Sequence, residues 1–141
     1  QTGKRDETGV ATAYRAFLPD AKVAAFIEDM AAAYAWADVV VCRAGAMTIA
    51  ELAAAGVAAI LVPFPHAADD HQTENARFLE VRDAAVLVPQ PEFTATRLTE
   101  LLTSIGANRA LLQRLAINAR ACATTDATET VAQLCLEAAH A

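Results

Sequence analysis

Basic residues are few and scattered: 11 Lys and Arg stand against 17 Asp and Glu, for a net charge of −6. A phosphate backbone is gripped by clustered Lys and Arg. No such cluster exists, which excludes a nucleic-acid surface. Cysteine is equally thin. Cys42, Cys122 and Cys135 are odd in number and lack metal-type spacing. Each lies in an apolar or helical stretch, so buried free thiols are expected, as suits a reducing compartment such as the cytoplasm. Long hydrophobic runs are missing too, since the longest apolar window, Met30 to Cys42, is broken by Asp38 and is too short to cross a bilayer. The opening Gln1-Thr-Gly-Lys-Arg-Asp-Glu7 is polar and mixed in charge, unlike a signal peptide. With no Met at position 1, the chain reads as a fragment. Phosphate-loop signatures are absent: no Gly-Lys-Ser/Thr follows the turn after Cys42, and the three glycines of a dinucleotide fingerprint are not there.

What is present is an ordered, alanine-rich chain, 55% hydrophobic and 20% charged, long enough at 141 residues for one domain with a real core. Residues 7–17 read as a helix stopped by Leu18-Pro19-Asp20, and Lys22–Phe26 as a short strand. Met30–Ala37 is helical. Asp38–Cys42 is a β-branched run typical of a buried parallel strand. Gly45 marks a tight turn into a helix that reaches Ala55, with Gly56 as its stop. Ala58–Phe64 is a second apolar strand, closed by Pro63 and Pro65. The loop His66–His71 leads into a helix ending near Arg82, and Ala85–Val88 is a further strand. Helices follow over 93–104, 108–122 and beyond Asp126, where Asp126 and Glu129 have the spacing of a cap and its reciprocal acid. This alternation predicts an α/β domain over 1–141, a Rossmann-like parallel sheet with helices on both faces. Ligands in such sheets sit at the carboxyl ends of strands. The turns after Phe26, Cys42 and Phe64 are therefore expected on one rim.

The turn Arg43-Ala-Gly-Ala-Met-Thr-Ile-Ala-Glu51 joins a buried strand to a helix start, where small residues let backbone N–H groups and the helix dipole meet a phosphate. Thr48 and Glu51 carry two readings. Thr-x-x-Glu is the spacing of a capping box, while a carboxylate also suits two adjacent ribose hydroxyls. Arg43 ends the strand at the rim and has two partners open to it, a phosphate or an acid such as Asp70. His66, Asp69, Asp70 and His71 invite a metal reading. Aspartates entering a helix serve capping and the first turn equally well, and no metal or cofactor is assigned. Tyr34 and Trp36 read as packing residues.

The stretch from Phe26 to Glu51, the loop Val62-Pro-Phe-Pro-His-Ala-Ala-Asp-Asp-His-Gln-Thr-Glu-Asn75 and the opening Gln1-Thr-Gly3 together resemble the C-terminal domain of the MurG-type family of bacterial N-acetylglucosaminyltransferases. The resemblance covers nearly the whole chain. It implies a GT-B enzyme of two Rossmann-like domains. UDP-N-acetylglucosamine would sit mainly on this half, and the lipid I acceptor on the other. Inverting transfer would give lipid II for peptidoglycan synthesis, without a metal, at the cytoplasmic face of the inner membrane and in the service of cell shape and division. By the same resemblance, the Ile27 backbone reads the uracil edge, with Phe26 and Met30 lining that pocket. Ala46, Met47 and Thr48 hold the diphosphate, with Ile49 and Ala50 continuing that stretch, and Glu51 binds the ribose. Gln72 contacts the sugar hydroxyls, with Asp70, His71 and Asn75 close by. No catalytic residue falls in this chain. Residues 124–141 match a helix that crosses toward the other domain. Ala44 departs from the pattern, standing where many members carry serine. The domain's first strand with its glycine-rich turn, and the whole acceptor domain, have no counterpart in this sequence.

Two other classes fit the same residues. One is a non-catalytic donor-binding subunit that works with a membrane-bound partner chain. The other is a GT-B-like UDP-N-acetylglucosamine epimerase, which needs acids and histidines placed for proton abstraction.

Overall fold

The computed structural model describes residues 1–65 and 70–139 and falls into two compact units, Gln1–Trp36 and Ala37–Ala141. In the first, helix α1 spans Glu7–Arg15. The strand expected over Lys22–Phe26 does not form. That stretch is extended, but its partner is only two residues long: the N–H groups of Thr2 and Gly3 donate to Ala24 O and Ala25 O, both at 3.0 Å. Gly3 then turns away at φ +78°, so no ladder propagates. Helix α2, Met30–Trp36, begins after Asp29, whose Oδ1 accepts the Ala32 N–H at 2.8 Å as an N-cap does. Tyr34 is buried, but Trp36 is 86% exposed and is no packing residue here. Two positions apart on an α-helix is about 200° of rotation, so the face that buries one turns the other outward.

The second unit is an α/β fold built on parallel strands β1 (Val39–Cys42), β2 (Ala58–Leu61) and β3 (Val86–Leu87), in the order β1-β2-β3. Val39 pairs with Ala58 and Ile60 with Val86. The second strand is shorter than its apolar run. Val62 still donates its N–H to Cys42 O at 2.9 Å, but Pro63 has no N–H to give. All four residues of β2 are buried. Successive strand residues point to opposite faces, so both faces are covered, as in doubly wound sheets. On one face Ile60 and Val88 pack with Ile105, Leu98 and Leu101 of α5 (Ala95–Ala107) and Leu111 and Leu112 of α6 (Arg109–Ala121). Thr94 and Asn108 cap these helices, accepting the N–H groups of Arg97 at 3.1 Å and Leu111 at 3.0 Å. A short 3₁₀ turn, Gln90–Glu92, follows β3 and was not legible in the sequence. Helix α7, Ala127–Ala139, follows Asp126, with Glu129 in its first turn and no buried residue.

Helix α3, Ala46–Ala55, is held at its C-terminal end. Gly56 sits at φ +66° and donates to Leu52 O and Ala53 O at 2.9 and 3.2 Å, while Val57 N–H reaches Leu52 O at 3.4 Å. This is the Schellman stop that the glycine predicts. The Arg120 guanidinium of α6 donates to Ala54 O, another terminal carbonyl. A Cβ on Gly56 would meet Arg120 Cβ at 3.0 Å. That atom belongs to the helix frame and cannot swing aside. Gly56→Ala is therefore expected to lower stability by about 1–3 kcal/mol, from left-handed strain plus this contact. Urea unfolding of the full-length protein measures it, and a change under ~0.5 kcal/mol would contradict the packing described.

Candidate functional site

The carboxyl end of β1 runs through Arg43, Ala44 and Gly45 into α3. Gly45 takes the N-cap position in extended geometry (φ −64°, ψ 148°) and supplies no side-chain cap. The first intrahelical donor is Ile49, whose N–H reaches Gly45 O at 3.0 Å. The N–H groups of Ala46, Met47 and Thr48 therefore precede the helical ladder, at the positive end of the dipole. This geometry removes the capping-box reading of Thr48 and Glu51. Thr48 is the third helical residue rather than the cap, and Glu51 lies in the second turn, exposed. Ile49 is buried, while Ala46, Met47 and Ala50 are exposed along the same turn. Ala44 is fully buried, so its methyl group is packed in the core and not presented to the rim.

The loop after β2 meets this turn through side chains. Arg43 Nη1 donates to Val62 O at 3.1 Å and Pro63 O at 3.2 Å, and its guanidinium lies 5.5 Å from the centre of the Phe64 ring. Among the described residues no carboxylate, Asp70 included, forms a salt bridge with it. Phe64 N–H donates to Gln72 Oε1 at 3.0 Å, and Asn75 Nδ2 donates to Ala44 O at 3.0 Å. Both side chains come from α4, His71–Glu80. Arg43, Gln72 and Asn75 are thus brought together on the rim. Asp70 stands at the N-cap position of α4 at φ +52°, but its carboxylate accepts the Thr73 hydroxyl at 2.6 Å instead of a backbone N–H. His71, the first residue of α4, is exposed. His66 and Asp69 lie outside the described residues. Among the described residues no group of three His, Cys, Asp or Glu is placed to hold a metal.

Two cavities open on this rim. One, of about 250 Å³, is lined by Cys42, Arg43, Val62, Gln90 and Phe93. The other, of about 300 Å³, is lined by Pro63, Pro65, Asp70, Thr73 and Gln90. Gln90 belongs to both, and the sequence reading missed it because it lies in the unread 3₁₀ turn. Burial pushes the Cys42 thiol up to about 11, so it stays protonated at neutral pH. Cys135 is exposed, not buried as its apolar stretch suggests, because it lies on α7, which buries nothing.

In the first unit, Ile27 lines a separate cleft of about 520 Å³ with Gln1, Asp20, Lys22 and Trp36. Its backbone N–H donates to Gln1 Oε1 at 3.3 Å. Phe26 is exposed and Met30 half-buried, and neither lines that cleft.

A parallel sheet with an uncapped helix N-terminus at the carboxyl end of a strand is the arrangement of a Rossmann-like domain, whose ligands sit at that rim. Sequence comparison makes this specific. The profile of the glycosyltransferase family 28 C-terminal domain matches residues 1–134, and the chain belongs to that family. It is 52% identical over 141 residues to a protein of Shewanella amazonensis and 50% identical over 140 residues to one of Azotobacter vinelandii. Each alignment covers 99% of this chain and 39% of the relative, and both relatives are named UDP-N-acetylglucosamine--N-acetylmuramyl-(pentapeptide) pyrophosphoryl-undecaprenol N-acetylglucosamine transferase. The crystal structure of Acinetobacter baumannii MurG superimposes with a TM-score of 0.85 at 44% identity, over 95% of this chain and 39% of that one. The chain therefore spans about two fifths of the length of the relatives it matches, and its fold is that of the GT-B C-terminal domain. No helix of the described residues is long and apolar enough to cross a membrane.

Proposed function

We propose that this chain is the donor-binding part of an inverting N-acetylglucosaminyltransferase that moves N-acetylglucosamine from UDP-N-acetylglucosamine to lipid I, giving lipid II. The observation that carries this reading is the start of α3, where three backbone N–H groups precede the ladder with no side-chain cap. A departing diphosphate meets donors and a dipole already in place, which is electrostatic stabilisation without reorganisation. The relatives' shared name supplies the donor sugar and the lipid pyrophosphate acceptor.

In this reading the N–H groups of Ala46, Met47 and Thr48 hold the diphosphate, along the stretch that continues through Ile49 and Ala50. Glu51 accepts from the ribose hydroxyls. The Ile27 backbone meets the uracil, with Phe26 and Met30 beside it, and Gln72 meets the sugar, with Asp70, His71 and Asn75 close by. No metal or other cofactor takes part. The acceptor and the membrane are met by a part of the protein outside these 141 residues, at the cytoplasmic face of the inner membrane, and residues 124–141 bridge toward it.

The Gln72 amide is oriented by its own chemistry. Only the oxygen can accept the Phe64 N–H, so the Nε2 donors are what it offers a ligand. Gln72→Ala in the full-length protein is expected to weaken UDP-N-acetylglucosamine roughly five- to tenfold, the worth of a hydrogen bond or two. UDP itself should be nearly unaffected. Isothermal titration with both ligands decides it: equal losses for the two would move Gln72 away from the sugar.

A further inference from the structure

We infer that Arg43 is a positioning residue that sets sugar recognition by holding Val62–Pro65 in the shape that lets Gln72 be oriented, and that it is not a phosphate ligand. This rests on the reading of Gln72 as the sugar contact.

Val62-Pro63-Phe64-Pro65 contains two prolines, so it has only two backbone donors. Val62 N–H is used by Cys42 O, and Phe64 N–H by Gln72 Oε1. The prolines end the β2 ladder, and the carbonyls of Val62 and Pro63 leave the strand with no strand partner to receive. A single nitrogen, Arg43 Nη1, donates to both of them. The same guanidinium faces the Phe64 ring. Arg43 thereby fixes the carbonyls on one side of the Phe64 peptide and the ring it carries, while Gln72 takes the N–H between. Asn75, one turn further along α4, bonds back to Ala44 O, the residue after Arg43. The β1–α3 turn, which starts the diphosphate helix, and the loop that orients Gln72 are thus braced twice, once in each direction.

The planar guanidinium suits this task, since one nitrogen reaches both carbonyls while the group lies over the Phe64 ring. In the proposed site a phosphate at α3 is met by backbone donors, whereas among the described residues Arg43 is the donor that the Val62 and Pro63 carbonyls share. The inference therefore predicts that losing Arg43 damages what Gln72 does and leaves what α3 does.

The test is a double-mutant cycle on the full-length protein with Arg43→Ala, Gln72→Ala and the pair, titrating UDP and UDP-N-acetylglucosamine. Arg43→Ala is expected to lose roughly five- to tenfold for the nucleotide sugar, matching Gln72→Ala, with UDP within about twofold of the parent and the double variant no worse than either single. An equal loss for UDP would make Arg43 a phosphate ligand and overturn the inference, and so would additive losses in the double variant. A readout independent of ligand is hydrogen exchange at the Phe64 amide. Its protection should fall in Arg43→Ala to the level seen in Gln72→Ala; unchanged protection overturns the brace. If Arg43→Ala does not fold, Arg43→Lys is read in the same cycle. It keeps a donor for the carbonyls but not the planar stack, so an intermediate loss confined to the nucleotide sugar is expected, and an equal loss for UDP again overturns the inference. If the parent fails to bind the nucleotide sugar, the functional reading is at fault, while the Phe64 exchange still decides whether the brace exists.

Discussion

Purified alone, the 141-residue chain is expected to transfer no N-acetylglucosamine to a soluble lipid I analogue, under conditions where the full-length enzyme turns over. Every group assigned in the proposed site acts on the donor. The α3 donors meet the diphosphate, Glu51 the ribose and Gln72 the sugar. Removal of the proton from the acceptor hydroxyl is assigned to none of them, and the relatives named as transferases are matched over only 39% of their length. Positioning two reactants against each other is worth about 7–11 kcal/mol of barrier in favourable cases. A surface that holds only one of them forfeits that. The measurement is a radiolabelled-donor assay at equal concentrations of segment and full-length protein. Turnover by the segment above a no-enzyme control, lost on Glu51→Ala, would falsify the division of labour proposed.

Replacing Glu51 by glutamine should weaken UDP binding about ten- to a hundredfold, which corresponds to charge-assisted hydrogen bonds worth roughly 1.5–3 kcal/mol. The structure sharpens this expectation, because the capping-box explanation of the residue has gone. A capping acid belongs at the third helical position, and Thr48 occupies it. A ribose would lose a bidentate acceptor, whatever the change in stability. Titration of the full-length variant with UDP, at a folded fraction matched to the parent by circular dichroism, separates the two. Unchanged affinity would end the ribose assignment.

Much of this was legible from pattern alone, and the misses have local causes. The run Asp38–Cys42 and the glycine at 56 announced β1 and the end of α3 because β-branched burial and a left-handed stop each leave one signature. Gly45 marked the turn into α3, but a glycine cap carries no side chain and the first two helical residues, Ala46 and Met47, are apolar. Thr48 was therefore the first residue that looked like a cap. Lys22–Phe26 has strand composition, but a strand is a property of a pair, and its partner stretch turns away at Gly3. Arg43 shows the same limit. Its position at the rim could be read, but its partners are backbone carbonyls twenty residues away, and carbonyls have no identity in a sequence. The site residues of α3 came chiefly from family resemblance, since small residues at a strand-to-helix turn are common to many folds.

The anchoring of α3 has a mechanical consequence. Its C-terminal end is stopped at Gly56 and fastened to α6 by the Arg120 bond to Ala54, whereas its N-terminal end has no side-chain cap and is held through the turn before it, where Asn75 donates to Ala44 O. The far seat is one pivot of the helix. Ten residues at about 1.5 Å each place the donors about 15 Å from the pivot. A tilt of about 4° there swings the diphosphate end by about 1 Å, a displacement large enough to cost about a hundredfold in rate. The accuracy of the proposed diphosphate end is therefore set partly on the opposite side of the domain, in the seating of Arg120 against a glycine outside the proposed site.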